Sequence, residues 1–237
     1  MSDFGTLYLL PTPLGDDGGQ VLPAYVIDKL HGLQYLVAER AKTARRFIKT
    51  TNPPRLISTF FIQELNEHTT PPEIPMLLQP LLEGHDMGLL TEAGCPGVAD
   101  PGAALVELAH SKGVEVVPMV GPSSILLALM ASGMNGQQFC FNGYLSAKPA
   151  QLAKDLKRLE QLSAKHSQTQ IFIETPYRNN KLVEQALSVL SLDTLFCIAV
   201  DLTLPTQSVV TKTVAGWTGA PLPQLHKRPA VFLIFRY

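Results

Sequence analysis

Cysteine is scarce in this sequence. Cys95, Cys140 and Cys197 are its whole complement in 237 residues, odd in number and far apart. A disulfide framework is therefore not expected, and a reducing cytoplasm is the expected compartment. A surplus of charge is missing too. Lys and Arg number 19 against 20 Asp and Glu, a formal net charge of −1. No global basic field exists for wrapping nucleic acid, so DNA is not an expected partner. No apolar run approaches the ~20 residues of a bilayer-spanning helix, and no membrane association is expected. The opening "MSDFGTLYLLPTPLG" lacks the basic flank and long apolar region of a signal peptide. Histidines at 31, 68, 85, 110, 166 and 226 show no His-x₃-His spacing, and there is no Cys-x₂-Cys, so no metal site is expected. Also missing are G-x-x-x-x-G-K-S/T, a G-x-G-x-x-G after the first apolar segment, and any serine in a G-x-S-x-G setting. These absences argue against a P-loop enzyme, an ordinary Rossmann dehydrogenase and the usual Gly-rich methyltransferase loop.

What is present is apolar content, 46%, and a regular alternation of segments. "GTLYLL" (5–10), "QYLVAE" (34–39), "RLIST" (55–59), "DMGLLTE" (86–92) and "VEVVPM" (114–119) read as strands. Between them "VLPAYVIDKL" (21–30), "AKTARRFIKT" (41–50), "PEIPMLLQPLLEG" (72–84) and "GAALVELAHSKG" (102–113) read as helices, followed by "PSSILLALMASG" (122–133). Alternation of this kind predicts a mostly parallel sheet covered on both faces. After residue 138 the rhythm changes. "FCFNGYL" (139–145), "QIFIET" (170–175), "LFCIAV" (195–200), "SVVTKTVAG" (208–216) and "AVFLIFR" (230–236) read as strands, with helices only at 150–165 and 179–190. Leu152, Leu156, Leu159 and Leu162 make an apolar stripe on the first of these helices. The prediction is two α/β domains, 1–120 with a mostly parallel sheet and 121–237 with a mixed sheet, joined at the helix 122–133. That helix is apolar on every side, and burial within the first domain is its plainest explanation.

Irregular loops follow the predicted strands: "PTPLG" (11–15), "TEAGCPGVADPG" (91–102), "VGPSS" (120–124) and "ETPYR" (174–178). Each alone reads as a turn. Together they occupy the position where ligands bind in open parallel sheets, outside the carboxyl ends of the strands.

In this order, with "AER" at 38–40, the loops resemble those of the tetrapyrrole (corrin/porphyrin) methylase superfamily of S-adenosylmethionine-dependent methyltransferases. The resemblance spans nearly the whole chain and is greatest to the bacterial branch that methylates a cytidine ribose 2′-hydroxyl of small-subunit ribosomal RNA. It implies two α/β domains, a cofactor cleft between them lined by backbone groups, and a homodimer. Carried over by position, Pro13, Leu14 and Gly15 match the first loop, and Gly94, Cys95, Pro96 and Val98 match the cofactor-touching loop after the fourth strand. Ser123 and Ser124 match the pair after the fifth strand, and Ile173, Leu202, Pro229 and Ala230 the cofactor contacts of the second domain. The chain departs from the ribosomal branch at Glu39–Lys42, Thr91–Gly94, Val200–Leu204 and Pro176–Arg178, and ends near its last strand without the extension of longer members. These departures leave three readings of the acceptor: ribosomal RNA or the small subunit, a tetrapyrrole or other small molecule, or none, in a non-catalytic cofactor-binding protein that acts by interaction.

Methyl transfer to a hydroxyl calls for a base or for stabilisation of a developing alkoxide. Glu39, Glu92 and Glu174 stand at strand ends, with Arg178 and Arg45 as orienters, and these glutamates are the candidates. Glu67, in "ELNEH", is a substrate-side candidate. The segment 40–55 carries six Lys or Arg and no acid. It is either a solvated helix face or a surface for anionic groups, in which Arg45, Arg46 and Lys49 would meet phosphates without touching the cofactor loops.

Overall fold

In the computed structural model, residues 4–16 and 21–237 are described. The chain divides into two compact units, Met1–Ser123 and Ser124–Tyr237. In the first, strands β1 (Leu7–Leu10), β2 (Tyr35–Ala38), β3 (Phe61–Glu64), β4 (Met87–Leu90) and β5 (Val116–Pro118) form one sheet in the order β3-β2-β4-β1-β5. Every pairing in it is parallel. The central strand β4, "MGLL", is buried at all four positions, which is why it reads as an unbroken apolar run. Helices α1 (Ala24–Gly32) and α2 (Ala41–Thr50) cover one face through Val26, Leu30, Ala44 and Ile48. The other face takes α3 (Ile74–Leu77), α4 (Gln79–Leu82) and α5 (Gly102–Ser111) through Leu77, Leu81, Leu105 and Ala109.

The second unit is mixed. Strands β6 (Phe139–Tyr144), β7 (Thr169–Ile173), β8 (Leu195–Val200), β9 (Ser208–Thr213) and β10 (Ala230–Phe235) are ordered β6-β7-β10-β8-β9, and only β6–β7 is parallel. Helices α7 (Pro149–His166) and α8 (Asn179–Val189) pack on one face. Leu152, Leu156 and Leu159 of the predicted stripe are buried there, and Leu162 is packed beside them. Phe172, Phe196 and Phe232 stack across three strands at the centre of that core.

Three expectations need correction. "RLIST" is not a strand: Ile57–Thr59 is a 3₁₀ turn closed by Phe60 N–H on the Ile57 carbonyl, and the edge strand starts at Phe61. The strand at 208–216 stops at Thr213, because the Thr213 hydroxyl accepts from the Gly216 N–H and caps a short helix, α9 (Val214–Thr218). The apolar helix at 122–133 is not buried within the first domain: α6 (Ser124–Ser132) falls in the second unit. It packs on β8, β9 and β10, and the Thr211 hydroxyl bonds its Ser132 carbonyl at 2.8 Å.

Candidate active site

Topology creates the opening in the first unit. After β1 the chain leaves for the face of α1, and after β4 for the face of α5. Adjacent parallel strands whose connections part to opposite faces leave a crevice beyond their carboxyl ends. Here it is narrowed by a two-residue bridge, Thr12 N–H to the Gly94 carbonyl at 2.9 Å and Gly94 N–H to the Thr12 carbonyl at 3.1 Å. The Thr12 hydroxyl adds a bond to the Thr91 carbonyl at 3.2 Å. Gly94 (φ +85) and Gly97 (φ +80) turn the loop through left-handed backbone. A Cβ on Gly94 would lie 3.3 Å from Leu14 and 3.5 Å from the Pro122 carbonyl, so this is where the loops after β1, β4 and β5 meet. The Asp100 carboxylate accepts from Gly97 N–H at 2.9 Å and Gly102 N–H at 2.8 Å, tying the far end of the loop to the start of α5.

A cavity of about 840 Å³ opens beside this bridge, lined among others by Thr12, Leu14, Arg46, Phe47, Thr91 and Glu92. Pro13 and Gly15 share the lining, while Val98 is 47% exposed on the loop beyond Gly97. Glu39 accepts from the Thr91 hydroxyl at 3.1 Å and the Glu92 N–H at 3.3 Å. Its carboxylate thus supports the wall from which the exposed Glu92 side chain projects. Cys95 is half-buried and its thiol donates to the Pro122 carbonyl at 3.4 Å. Burial pushes the thiol pKa up, so a ligand at this position meets a neutral group and the backbone. Ser123 closes the β5 loop and Ser124 opens α6.

The basic helix needs a correction. Arg46 does not stand apart from the cofactor loops: it lines the cavity and pairs with Asp16, on the loop after β1, at 3.0 Å. Arg45 and Lys49 lie exposed on the same helix. Glu67 is exposed on the loop after β3, 3.7 Å from His68. The neighbouring Asn66 amide donates to the Glu39 carbonyl at 3.3 Å, which links that loop to the end of β2.

In the second unit the candidates gather at one end of the sheet. Ile173 ends β7 opposite Val231, and Ala230 starts β10 opposite Val200. The Pro229 carbonyl accepts from Asp201 N–H at 3.0 Å, and Leu202 follows, buried. Glu174 is buried and accepts from Arg178 at 2.5 Å and from the Thr175 N–H at 2.6 Å, so its carboxylate is committed to an ion pair and a turn. Sequence reasoning missed the polar groups that hold these loops: Thr12, Thr91, Asp100, Asp201 and Arg228. "ADPG" at the head of α5 was a usable signal for Asp100. For Asp201 and Arg228, 27 positions apart, no local pattern exists.

Residues 28–216 match the family of "Tetrapyrrole (Corrin/Porphyrin) Methylases". The ribosomal RNA small subunit methyltransferase I of Vibrio cholerae is 33% identical, over 92% of this chain and 69% of that one. The protein of the same name from Bacillus subtilis is 28% identical, over 91% of this chain and 71% of that one. Among solved structures, the methyltransferase CobJ superposes with a TM-score of 0.64 at 18% identity, covering 98% of this chain and 94% of that one. At that identity the likeness concerns the fold.

Proposed function

The chain belongs to the tetrapyrrole (corrin/porphyrin) methylases, S-adenosylmethionine-dependent methyltransferases, and on that premise we propose that its acceptor is a ribose 2′-hydroxyl of small-subunit ribosomal RNA. The observation that carries the acceptor is the cavity beside the Thr12–Gly94 bridge, which joins a carboxylate, Glu92, to a cationic wall, Arg46, on a helix whose outer face adds Arg45 and Lys49. The names of the ribosomal relatives point the same way.

The loops fit a cofactor held through its contacts with backbone. Nothing stands within 4 Å of a Cβ placed on Gly97, and at Gly94 a side chain would meet Leu14. Pro13, Leu14, Gly94, Cys95, Val98 and Ser123 would hold the cofactor in the first unit; Ser124, Ile173, Leu202, Pro229 and Ala230 are the assignments in the second. When bound, S-adenosylmethionine supplies a methyl group already activated on a sulfonium. The chain's own work is alignment and proton handling. Glu92, exposed on the cavity wall, takes the hydroxyl proton, while Glu39 fixes the Glu92 backbone through its N–H. Arg46, Arg45 and Lys49 meet the phosphates, which position an RNA without reading its sequence. Glu67, exposed on the loop after β3, would touch RNA. Glu174 and Arg178 shape the second unit's loop as a pair and transfer no proton.

Light scattering should give twice 25.8 kDa. Met130, an apolar side chain 79% exposed on α6, supports this homodimer, and a mass of one chain at micromolar concentration would overturn it. The expected compartment is the cytoplasm, where ribosomal subunits and reduced thiols are found. The deciding experiment supplies tritiated-methyl cofactor and small ribosomal subunits from a strain lacking the protein. Label in a ribose-methylated nucleotide supports the reading. Label in a low-mass product, or no label at all, sinks it in favour of a small-molecule or a non-catalytic role.

A further inference from the structure

Among the described residues six non-glycines have positive φ, and three of them stand together at the ligand end of the second unit: Asp201 (+49), Thr203 (+72) and Lys227 (+61). Left-handed backbone is uphill for a residue with a Cβ and persists only where the surroundings over-determine it, commonly at functional sites. Here the over-determination is visible, and it centres on Arg228. Its Nε donates to the buried Asp201 carboxylate at 2.7 Å. One terminal nitrogen donates to the Thr206 carbonyl at 2.8 Å and the other to the Gln224 carbonyl at 3.0 Å. The Thr206 hydroxyl donates to the same Asp201 carboxylate at 2.7 Å. From the other side the Asn179 amide donates to the Arg228 carbonyl at 2.7 Å, and Lys227 N–H to the Pro176 carbonyl at 3.2 Å.

One guanidinium therefore ties the loop after β8, residues 201–207, to the segment 224–229 that leads into β10. These segments carry Leu202 and Pro229. We propose that Arg228 is a positioning residue for cofactor binding, which holds both segments in their left-handed form before the cofactor arrives. The inference rests on the methyltransferase reading above. A planar fork with three donating directions suits the task, because a lysine can satisfy the carboxylate but not both carbonyls at once. Preformed loops bind without first losing conformational entropy, so the effect belongs in affinity and not in turnover.

The test is calorimetric titration of the full chain with S-adenosylmethionine, well below its melting temperature, alongside steady-state kinetics. Arg228→Gln should weaken cofactor binding by about tenfold or more, the size expected when a charged hydrogen-bonding group is withdrawn. Arg228→Lys should fall between it and the unmodified protein, and kcat at saturating cofactor should change by less than about threefold. Thr206→Val removes one bond to Asp201, keeps the ion pair, and should shift the affinity the same way by less, so the proposal can be judged even if Arg228→Gln fails to fold. Leu159→Ala, in the core beside Glu160, whose carboxylate is bonded at the opposite end of β8 by Ser191 and Thr194, controls for a general loss of stability and should leave affinity unchanged. Unmodified affinity in Arg228→Gln or Thr206→Val, or an equal loss in Leu159→Ala, would overturn the positioning role alone. Failure of the unmodified protein to bind the cofactor would overturn both the role and the reading beneath it.

Discussion

The two units shape the loops that carry their candidate site residues by opposite means. In the first, the loop after β4 takes its left-handed turns chiefly at glycines, Gly94 and Gly97, with Ala99 as the exception, and is tied down by the hydrogen bonds that the Asp100 and Glu39 carboxylates accept, two each. In the second, the loops after β8 and before β10 take theirs at Asp201, Thr203 and Lys227, under an ion pair buried at its acidic end. Glycine adopts left-handed backbone without steric cost, whereas each residue with a Cβ gives up roughly 1–2 kcal/mol there. One unit confines the strain in its loop to Ala99; the other accepts it at three residues and counters it with charge. A loop that must leave room beside its backbone has reason to use glycine, and a loop that must only keep its shape can use side chains to lock itself.

If the units are independent in this way, a defect in one core should leave the other's loops standing. Phe232 lies between the rings of Phe172 and Phe196, at centroid distances of 5.9 and 6.1 Å. Phe232→Ala removes a fully buried ring and should cost about 3–5 kcal/mol, the largest of the expected losses. Hydrogen exchange should then speed up in β7, β8 and β10 while amides of β1, β2 and β4 keep their protection. Equal loss of protection in both sheets would mean that the two fold as one cooperative block.

The glycine strategy is tested at Gly94, where φ is +85. Gly94→Val places a β-branched side chain on left-handed backbone, 3.3 Å from Leu14, and should cost about 2 kcal/mol. The same atoms fill the space assigned to the cofactor, so titration should show binding lost while the circular dichroism of the folded protein is retained. A folded variant that binds S-adenosylmethionine normally would remove this loop from the site.

The same contrast decides what could be read from the sequence. Parallel strands buried inside a sheet appear as apolar runs, so β1, β2 and β4 were legible, the edge strand β5 still showed as the apolar "VEVVPM", and the leucine stripe gave α7. The edge strand β3 was misplaced because its exposed side keeps little apolar character, and the real apolar signal at Leu56 and Ile57 belongs to a turn. The burial of helix α6 was read against the wrong core, since a helix apolar all round has no polar stripe to show which surface it covers. The glycine loops announced themselves by composition. Arg228 and Asp201 did not, because a long-range ion pair leaves no local pattern, and neither did Arg46 as a cavity residue, since a cationic helix reads alike whether its charges face solvent or a cleft.

The smallest expected effect concerns sulfur. Cys197, on β8 in the second unit, is fully buried, and desolvation pushes its pKa up from 9.0 to about 11. Cys95 in the first unit shifts the same way but, being only half-buried, contributes less. The sign follows from proton binding. Above pH 9 the unfolded chain releases the Cys197 proton while the folded chain still holds it, so the unfolded state gains and stability falls as pH rises from about 9 towards 11. At pH 9.5 the loss is under about 1 kcal/mol, and within the window the slope approaches about 1.4 kcal/mol per pH unit. Denaturant unfolding of the second unit at pH 8, 9.5 and 10.5 measures it. Cys197→Ala should lower stability at every pH through the small cavity it leaves, yet flatten the alkaline slope relative to the unmodified protein, because lysine and tyrosine titrations are common to both. Parallel slopes in the two proteins would show that the Cys197 thiol titrates in the folded state as it does in water, and that the β8 core is wetter than its packing implies.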